Sequence, residues 1–260
     1  MNSLGHNIDD VEGDSSEDAD KKSHRILEIL GDRVFHLNIE TELPVGAGLG
    51  SSASFCVSLS SAFMTWFSEV FGLQSPGYDH NNLEDVNRFA YELECRVHGT
   101  PSGIDNTVIT YGGLIRMEGR NTFTRLKWEH EPLRVIIVNT NVSRDTKALV
   151  SGVRDRYNHP DTFEIMEELI QSVEKIANVF TGMIKEGFHR PRFQSLIEKN
   201  HKVLNKMGVG HKDLDRIVFL AKQYDLYGKL TGAGGGGCAF GWRYATPYSQ
   251  RPMFRRLPTN

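Results

Sequence analysis

The sequence predicts an α+β fold, and three observations carry that prediction. Strand-like alternation over residues 34–43 leads into a glycine-rich loop that opens an apolar run with helical spacing. Four helical patterns then crowd residues 144–224. A second glycine-rich loop delivers the chain into a last strand-like run, Cys238 to Trp242. Strands and helices are mixed without a regular βαβ repeat, so α+β fits better than a doubly wound parallel sheet. A chain of 260 residues can hold one large domain or two small ones.

Residues 1–24 are expected to form a disordered acidic tail, because Asp9 to Asp20 is dense in Asp, Glu and Ser with almost nothing apolar to bury. This polar, acidic start is the reverse of a signal or transit peptide. From Val34 to Leu43, Phe35, Leu37, Ile39, Thr41 and Leu43 share one face, the period-two pattern of a strand. Ser51 to about Phe71 carries Phe55, Leu59, Ala62, Phe63, Trp66 and Phe67 at helical spacing, which predicts a well-buried helix. Residues 72–82 form a polar connection turning at Pro76-Gly77.

A second helix is expected from about Leu83 to Val97, burying Leu83, Val86, Phe89, Ala90, Leu93 and Val97. His98-Gly99-Thr100-Pro101 stops it, since glycine caps and proline cannot continue a helix. The turn from Pro101 to Asp105 leads to a short helix-like stretch and the Gly112-Gly113 break. Leu114 to Met117 and Leu133 to Asn139 read as strands, the second with the continuous β-branched composition of a buried strand. Helices follow at about 144–157, 161–186, 190–207 and 213–224. The second glycine-rich loop spans Lys229 to Gly237.

Composition narrows the function. A formal net charge of −3 leaves no electrostatic footprint for nucleic acid. Cys56, Cys95 and Cys238 are widely separated and odd in number, which suggests free thiols in a reducing compartment and no structural zinc site. No apolar run approaches the roughly 20 residues of a membrane helix, so no membrane partner is expected and cytoplasm is the default location.

Pro44-Val45-Gly46-Ala47-Gly48-Leu49-Gly50-Ser51-Ser52-Ala53 is the most informative stretch. It puts backbone N–H groups and two hydroxyls at a helix N-terminus, where the peptide dipoles favour a phosphate. A Walker loop would need a lysine where Gly50 stands, and a dinucleotide fingerprint would need a glycine at Ser51. A plain glycine turn capped by Ser51 or Ser52 is the competing reading. Four other features have similar double readings. Glu94, near the end of its helix, is an exposed carboxylate or a holder of a divalent ion. Asp105, after Pro101-Ser102-Gly103-Ile104, is an ordinary turn aspartate or a rigidly presented base. Ser143 or Asp145 is an N-cap, or the Asn139 to Thr146 segment meets a ligand. Leu230 to Cys238 is a flexible linker, or a place of close backbone approach. Taken together, a phosphate cradle, a cation carboxylate, a base and a second glycine loop suit phosphoryl transfer.

The Pro44–Ala53 stretch resembles the second motif of the GHMP small-molecule kinases. His98-Gly99-Thr100-Pro101-Ser102-Gly103-Ile104-Asp105-Asn106 is similar to the mevalonate-phosphorylating branch, with Gly112-Gly113 following. Leu230 to Cys238 resembles that branch's third motif, and Gly208-Val209-Gly210-His211 with Leu214-Asp215 also matches. The resemblance implies that Ser52 and Glu94 hold Mg2+ on the phosphates of ATP, and that Asp105 takes the proton of the substrate hydroxyl. It implies that Gly46, Gly48, Gly50 and Ser51 cradle phosphates. Arg144 and Thr146 would lie at the active site, and Gly232, Gly234 and Gly235 would border the pocket. The implied activity is ATP-dependent phosphorylation of the primary alcohol of a small hydroxy acid, mevalonate, in a homodimer. Another GHMP activity, such as phosphomevalonate phosphorylation, and a nucleotide-binding remnant without turnover are the alternatives.

The implied fold has two domains, a ribosomal S5 domain 2-like ATP-binding part over 25–130 and a ferredoxin-like part over 131–260. Both are expected to be partial. Family members carry strands and an early lysine ahead of the phosphate loop, for which Lys21 and Lys22 are poor candidates, and a helix and strand beyond Trp242. Truncation at both ends is therefore expected.

Overall fold

The protein's structure is a computed structural model that describes residues 36–70, 80–99, 101–119 and 122–243, with positions 24, 28 and 31 besides. The expected acidic tail, the Pro76-Gly77 turn and the run beyond Arg243 lie outside the described residues.

The first half is helical. Helix α1 (Ser51–Val70) packs on α2 (His80–His98), and both pack on the short α3 (Ile104–Tyr111). The chain then forms an antiparallel hairpin of β1 (Leu114–Gly119) and β2 (Thr122–Leu126), with Leu114 opposite Leu126. β2 was not foreseen, because its Thr-Phe-Thr-Arg-Leu sequence is short and only half apolar.

Three expectations for this half are corrected, one of them on α2, where Phe89 and Val97 are exposed and Glu94 joins Val86 and Ala90 inside. Residues 36–43 form no strand, and Leu37 and Ile39 are exposed. Alternation is half of what a strand needs; the other half is a ladder partner, and no described strand pairs with this segment. Helix α1 does form, but it buries Ala53, Cys56, Ser60 and Ser68 while Phe55, Ala62 and Phe63 stay exposed. The residues that α1 buries are small where it packs on α2 and α3, and small side chains permit a close helix approach that bulky ones would block.

The second half builds one sheet with helices on it. Strand β3 (Arg134–Asn139) is followed by α4 (Thr146–Asn158), α5 (Pro160–Glu186), α6 (Arg190–Lys206) and α7 (Lys212–Lys222). Strands β4 (Tyr227–Leu230) and β5 (Cys238–Arg243) complete an antiparallel sheet of order β3-β5-β4. The helix starts are set locally. Pro160 and Pro191 occupy the first turns of α5 and α6, where a missing N–H costs nothing, and His159 and His189 accept an amide hydrogen bond as N-caps. β4 escaped sequence reading because a four-residue strand leaves no measurable period.

Alternation along β5 divides the core. Trp242 and Phe240 face one way, where they meet Phe193, Leu196 and Ile197 of α6 and Met183 of α5. Ala239 faces the other way with Leu230, against Leu214 of α7. Gly228 fits β4 tightly against β5, since a Cβ there would stand 2.9 Å from the Phe240 carbonyl oxygen. β3 is not the buried strand its β-branched sequence suggested. It lies at the sheet edge, its main packing is with β5, and Val135 and Ile137 are about half exposed.

The other sheet edge is covered by α6. Buried His201 accepts the Leu230 amide at Nδ1 (3.3 Å) and donates from Nε2 to Asp215 (3.0 Å), so one neutral tautomer satisfies both partners. Burial pushes its pKa below the ordinary histidine range, against the attraction of Asp215 and with help from Lys229. The unfolded chain therefore binds this proton more readily than the folded one as pH falls through about 6.5, and stability declines on the acid side. Urea midpoints measured between pH 8 and pH 5.5 should fall more steeply for the unaltered protein than for His201→Asn, which keeps an acceptor without titrating. Equal slopes would remove His201 from the acid response. No helix among the described residues is long and apolar enough to cross a membrane.

Candidate active site

Five segments converge: the 44–50 loop, the start of α1, the end of α2, the start of α3, and the 231–237 loop with Arg144 between. In the first loop, Gly46, Gly48 and Gly50 all have positive φ, which side chains resist. The loop hands over to α1 through Ser51 and Ser52, and the first bond of the helix runs from the Ser54 amide to the Gly50 carbonyl (2.8 Å). The amides ahead of Ser54 have no acceptor one turn back, as at any helix start.

Ser52 Oγ donates to Glu94 Oε1 at 2.6 Å and lies 2.9 Å from His98 Nε2. Glu94 is 6% exposed, so the exposed-carboxylate reading is excluded. It continues the buried stripe of α2, one turn after Ala90 and two after Val86. Cys56, one turn after Ser52 on α1, donates its thiol to the same Oε1 (3.4 Å). Burial and the Glu94 carboxylate push that thiol up to about 11, so it stays protonated. A buried carboxylate and a hydroxyl oxygen, with no lysine or arginine on the carboxylate among the described ion pairs, form a hard donor set that fits Mg2+.

Asp105 is in the first turn of α3, after Gly103 in the left-handed conformation. That turn is anchored from below. Thr107 Oγ1 donates to the Gly103 carbonyl (2.6 Å), and Asn106 Nδ2 donates to Asn87 Oδ1 on α2 (2.8 Å). The Asp105 carboxyl keeps an opening to solvent, yet burial of its inner side pushes its pKa up. The Glu94 charge adds to that shift, while Arg144 and His98 oppose it.

Arg144 threads between the two glycine loops. Its Nη2 lies 2.6 Å from where a Gly48 Cβ would stand, and its Nη1 lies 2.8 Å from the corresponding point at Gly232. Nη1 also donates to the Thr231 carbonyl (3.4 Å). Both loops therefore need glycine where the guanidinium passes. The next residue, Asp145, is the N-cap of α4 and accepts the Ala148 amide, which settles the capping question. Thr146 is the exposed first residue of α4, beside this cluster in sequence but with no recorded side-chain bond into it.

The second loop is a fixed structure and not a flexible linker. Gly235 N–H donates to the Val209 carbonyl (2.9 Å), Gly237 N–H to the Val142 carbonyl (3.1 Å), and Cys238 N–H to the Ala47 carbonyl (3.0 Å). Gly234 has φ 79°, and a Cβ on it would overlap the Val209 carbonyl. A Cβ on Gly235 would stand 2.6 Å from Leu149. These two glycines are required by the protein's own packing, whatever they meet on their open side.

The sequence-derived set is thus largely brought together: Gly48, Ser52, Glu94, Asp105, Arg144 and Gly232 lie in one cluster. Sequence reading missed His98, Cys56 and the Asn87–Asn106–Thr107 anchor. His98, one helical turn after Glu94, and Cys56, one turn after Ser52, each gave a spacing signal, and the anchor gave none. Two oxygen donors at a helix N-terminus, a carboxyl with a raised pKa and a nearby guanidinium together suit transfer of a phosphoryl group to an alcohol.

Residues 21–113 match the family described as the GHMP kinases N terminal domain. The chain is 39% identical over 219 residues to a mevalonate kinase of Arabidopsis thaliana, covering 81% of this chain and 57% of that protein. It is 38% identical over 210 residues to the mevalonate kinase of Homo sapiens, covering 76% of this chain and 52% of that one. The crystal structure of L. major mevalonate kinase in complex with R-mevalonate is similar with a TM-score of 0.65 and 29% identity, over 78% of this chain and 60% of that one. The chain spans somewhat more than half the length of these relatives.

Proposed function

We propose that the chain is a GHMP kinase, the family whose N-terminal domain its residues 21–113 match, and that it phosphorylates the primary alcohol of mevalonate with ATP, giving 5-phosphomevalonate for isoprenoid and sterol synthesis. The observation that carries the reading is the meeting of the Ser52–Glu94 pair with Asp105 and Arg144 between two glycine loops. The similarity to mevalonate kinases, one of them crystallised with R-mevalonate, supports mevalonate as the acceptor.

ATP, when bound, supplies the phosphoryl group, and Mg2+ neutralises charge on its phosphates. Ser52 and Glu94 would hold the ion through oxygen. The amides of the Gly46–Ser52 loop would face the phosphates, where the α1 dipole favours negative charge. Asp105 accepts the proton of the substrate alcohol, and its raised pKa makes it a stronger base than an ordinary aspartate. Arg144 sets a positive charge beside Asp105 and both loops, which offsets the negative charge gathered there. Thr146 and the 232–235 glycines border the acceptor and nucleotide. In this reading residues 25–130 form the ATP-binding part and 131–260 the second part, in a cytoplasmic homodimer.

ADP release by the purified chain, tested with mevalonate, phosphomevalonate, galactose and homoserine, decides the matter. Release with mevalonate alone is expected. Release with phosphomevalonate would reassign the acceptor, and ATP binding with no turnover on any of the four would leave a nucleotide-binding remnant.

A further inference from the structure

The Ser52 hydroxyl has one proton and two acceptors in reach, Glu94 Oε1 at 2.6 Å and His98 Nε2 at 2.9 Å. Glu94 and His98 stand one turn apart on α2, with Nε2 3.8 Å from Glu94 Oε2. The Ser52 proton lies towards Glu94, so the imidazole presents Nε2–H to the hydroxyl oxygen. In this arrangement Ser52 and Glu94 are closed on each other. A hydroxyl that ligates a cation must turn a lone pair to the ion and its hydrogen elsewhere. A carboxylate that ligates the same cation cannot also be the acceptor of that hydrogen along the same lone pair.

We propose that His98 is the positioning residue of the cation pair: its Nε2 accepts the Ser52 hydrogen bond when Glu94 turns to a divalent cation. The hydroxyl rotates about Cβ–Oγ, and its hydrogen leaves Glu94 Oε1 for His98 Nε2. The imidazole gives up the Nε2 hydrogen to solvent and takes one at Nδ1, which its half-exposed ring allows. The net proton count does not change. Cys56 completes the arrangement by continuing to donate to Glu94 Oε1, so the carboxylate keeps one fixed partner through the change. The inference rests on the reading that Ser52 and Glu94 hold the cation, and it assigns His98 the task of letting both do so at once.

The test measures Mn2+ binding by electron paramagnetic resonance, with a non-hydrolysable ATP analogue present, on the full chain and on His98→Leu and His98→Gln. Loss of an outer-shell partner typically weakens a metal site about 10- to 100-fold. That loss is expected for His98→Leu, whereas His98→Gln, whose amide oxygen accepts, should keep most of the affinity. Analogue binding without metal should be equal in all three. In the unaltered chain, 15N resonances of the His98 ring should show Nε2 losing its hydrogen when Mg2+ and the analogue are added. Equal Mn2+ affinity in His98→Leu, equal weakening in both variants, or an Nε2 that stays protonated under Mg2+ would each overturn the assignment. Absence of Mn2+ binding by the unaltered chain would instead overturn the phosphoryl-transfer reading beneath it.

Discussion

Asp105→Asn is expected to lower turnover with mevalonate by about 10²- to 10⁴-fold, the range supplied by a positioned general base. The substitution keeps size and hydrogen bonding but removes the proton acceptor. It should not lower stability. Because the folded pKa of Asp105 lies above its unfolded value, the folded state binds this proton more tightly. Between those two values stability therefore falls as pH rises, and at neutral pH the ionised carboxylate works against folding. Removing that charge should leave the melting temperature unchanged or raise it. The raised pKa also moves the acid limb of kcat/KM above the range of an ordinary aspartate. A parallel loss of turnover and melting temperature would mean that Asp105 holds the α3 turn together and is not the base.

Trp242→Ala is expected to cost about 3–5 kcal/mol, as for large-to-small changes at buried aromatic sites. Trp242 is 2% exposed and meets the Phe193 ring edge-on at 5.0 Å, with Phe188 at 6.2 Å. The hole would open at the junction of β5, α5 and α6, where rigid rings cannot collapse inward. Equilibrium urea unfolding measures the cost, and a loss under about 1 kcal/mol would show that the rings repack. β5 also begins at the Cys238 end of the second glycine loop, so activity should decline with the folded fraction.

The helices of the second half were legible because each begins with a proline or polar cap and ends at glycine or a basic turn. The burial of α1 and β3 was not, and for a shared reason. Periodicity states which residues lie on one face, but the neighbour decides which face is covered. In α1 the neighbour needed small residues, and β3 had a neighbour on one side only. Glu94 shows the converse. Its place on the Val86–Ala90 stripe was readable, yet a carboxylate on a buried stripe has meaning only once Ser52 is seen opposite. The glycine loops were found by composition, whereas their fit around Arg144 depends on contacts far apart in the chain.

That distance has a consequence for how the site comes into being. Thr231 Oγ1 reaches the Gly48 carbonyl across 183 residues, and the Cys238 amide holds Ala47 from the neighbouring position. During synthesis the first loop emerges early and waits with its carbonyls unpaired until β5 has left the ribosome. Such remote closure is slow, because the chain pays loop entropy before any reward arrives. The candidate site is therefore among the last parts of the described fold to form, and a chain released before Cys238 would fold helices without ever assembling it.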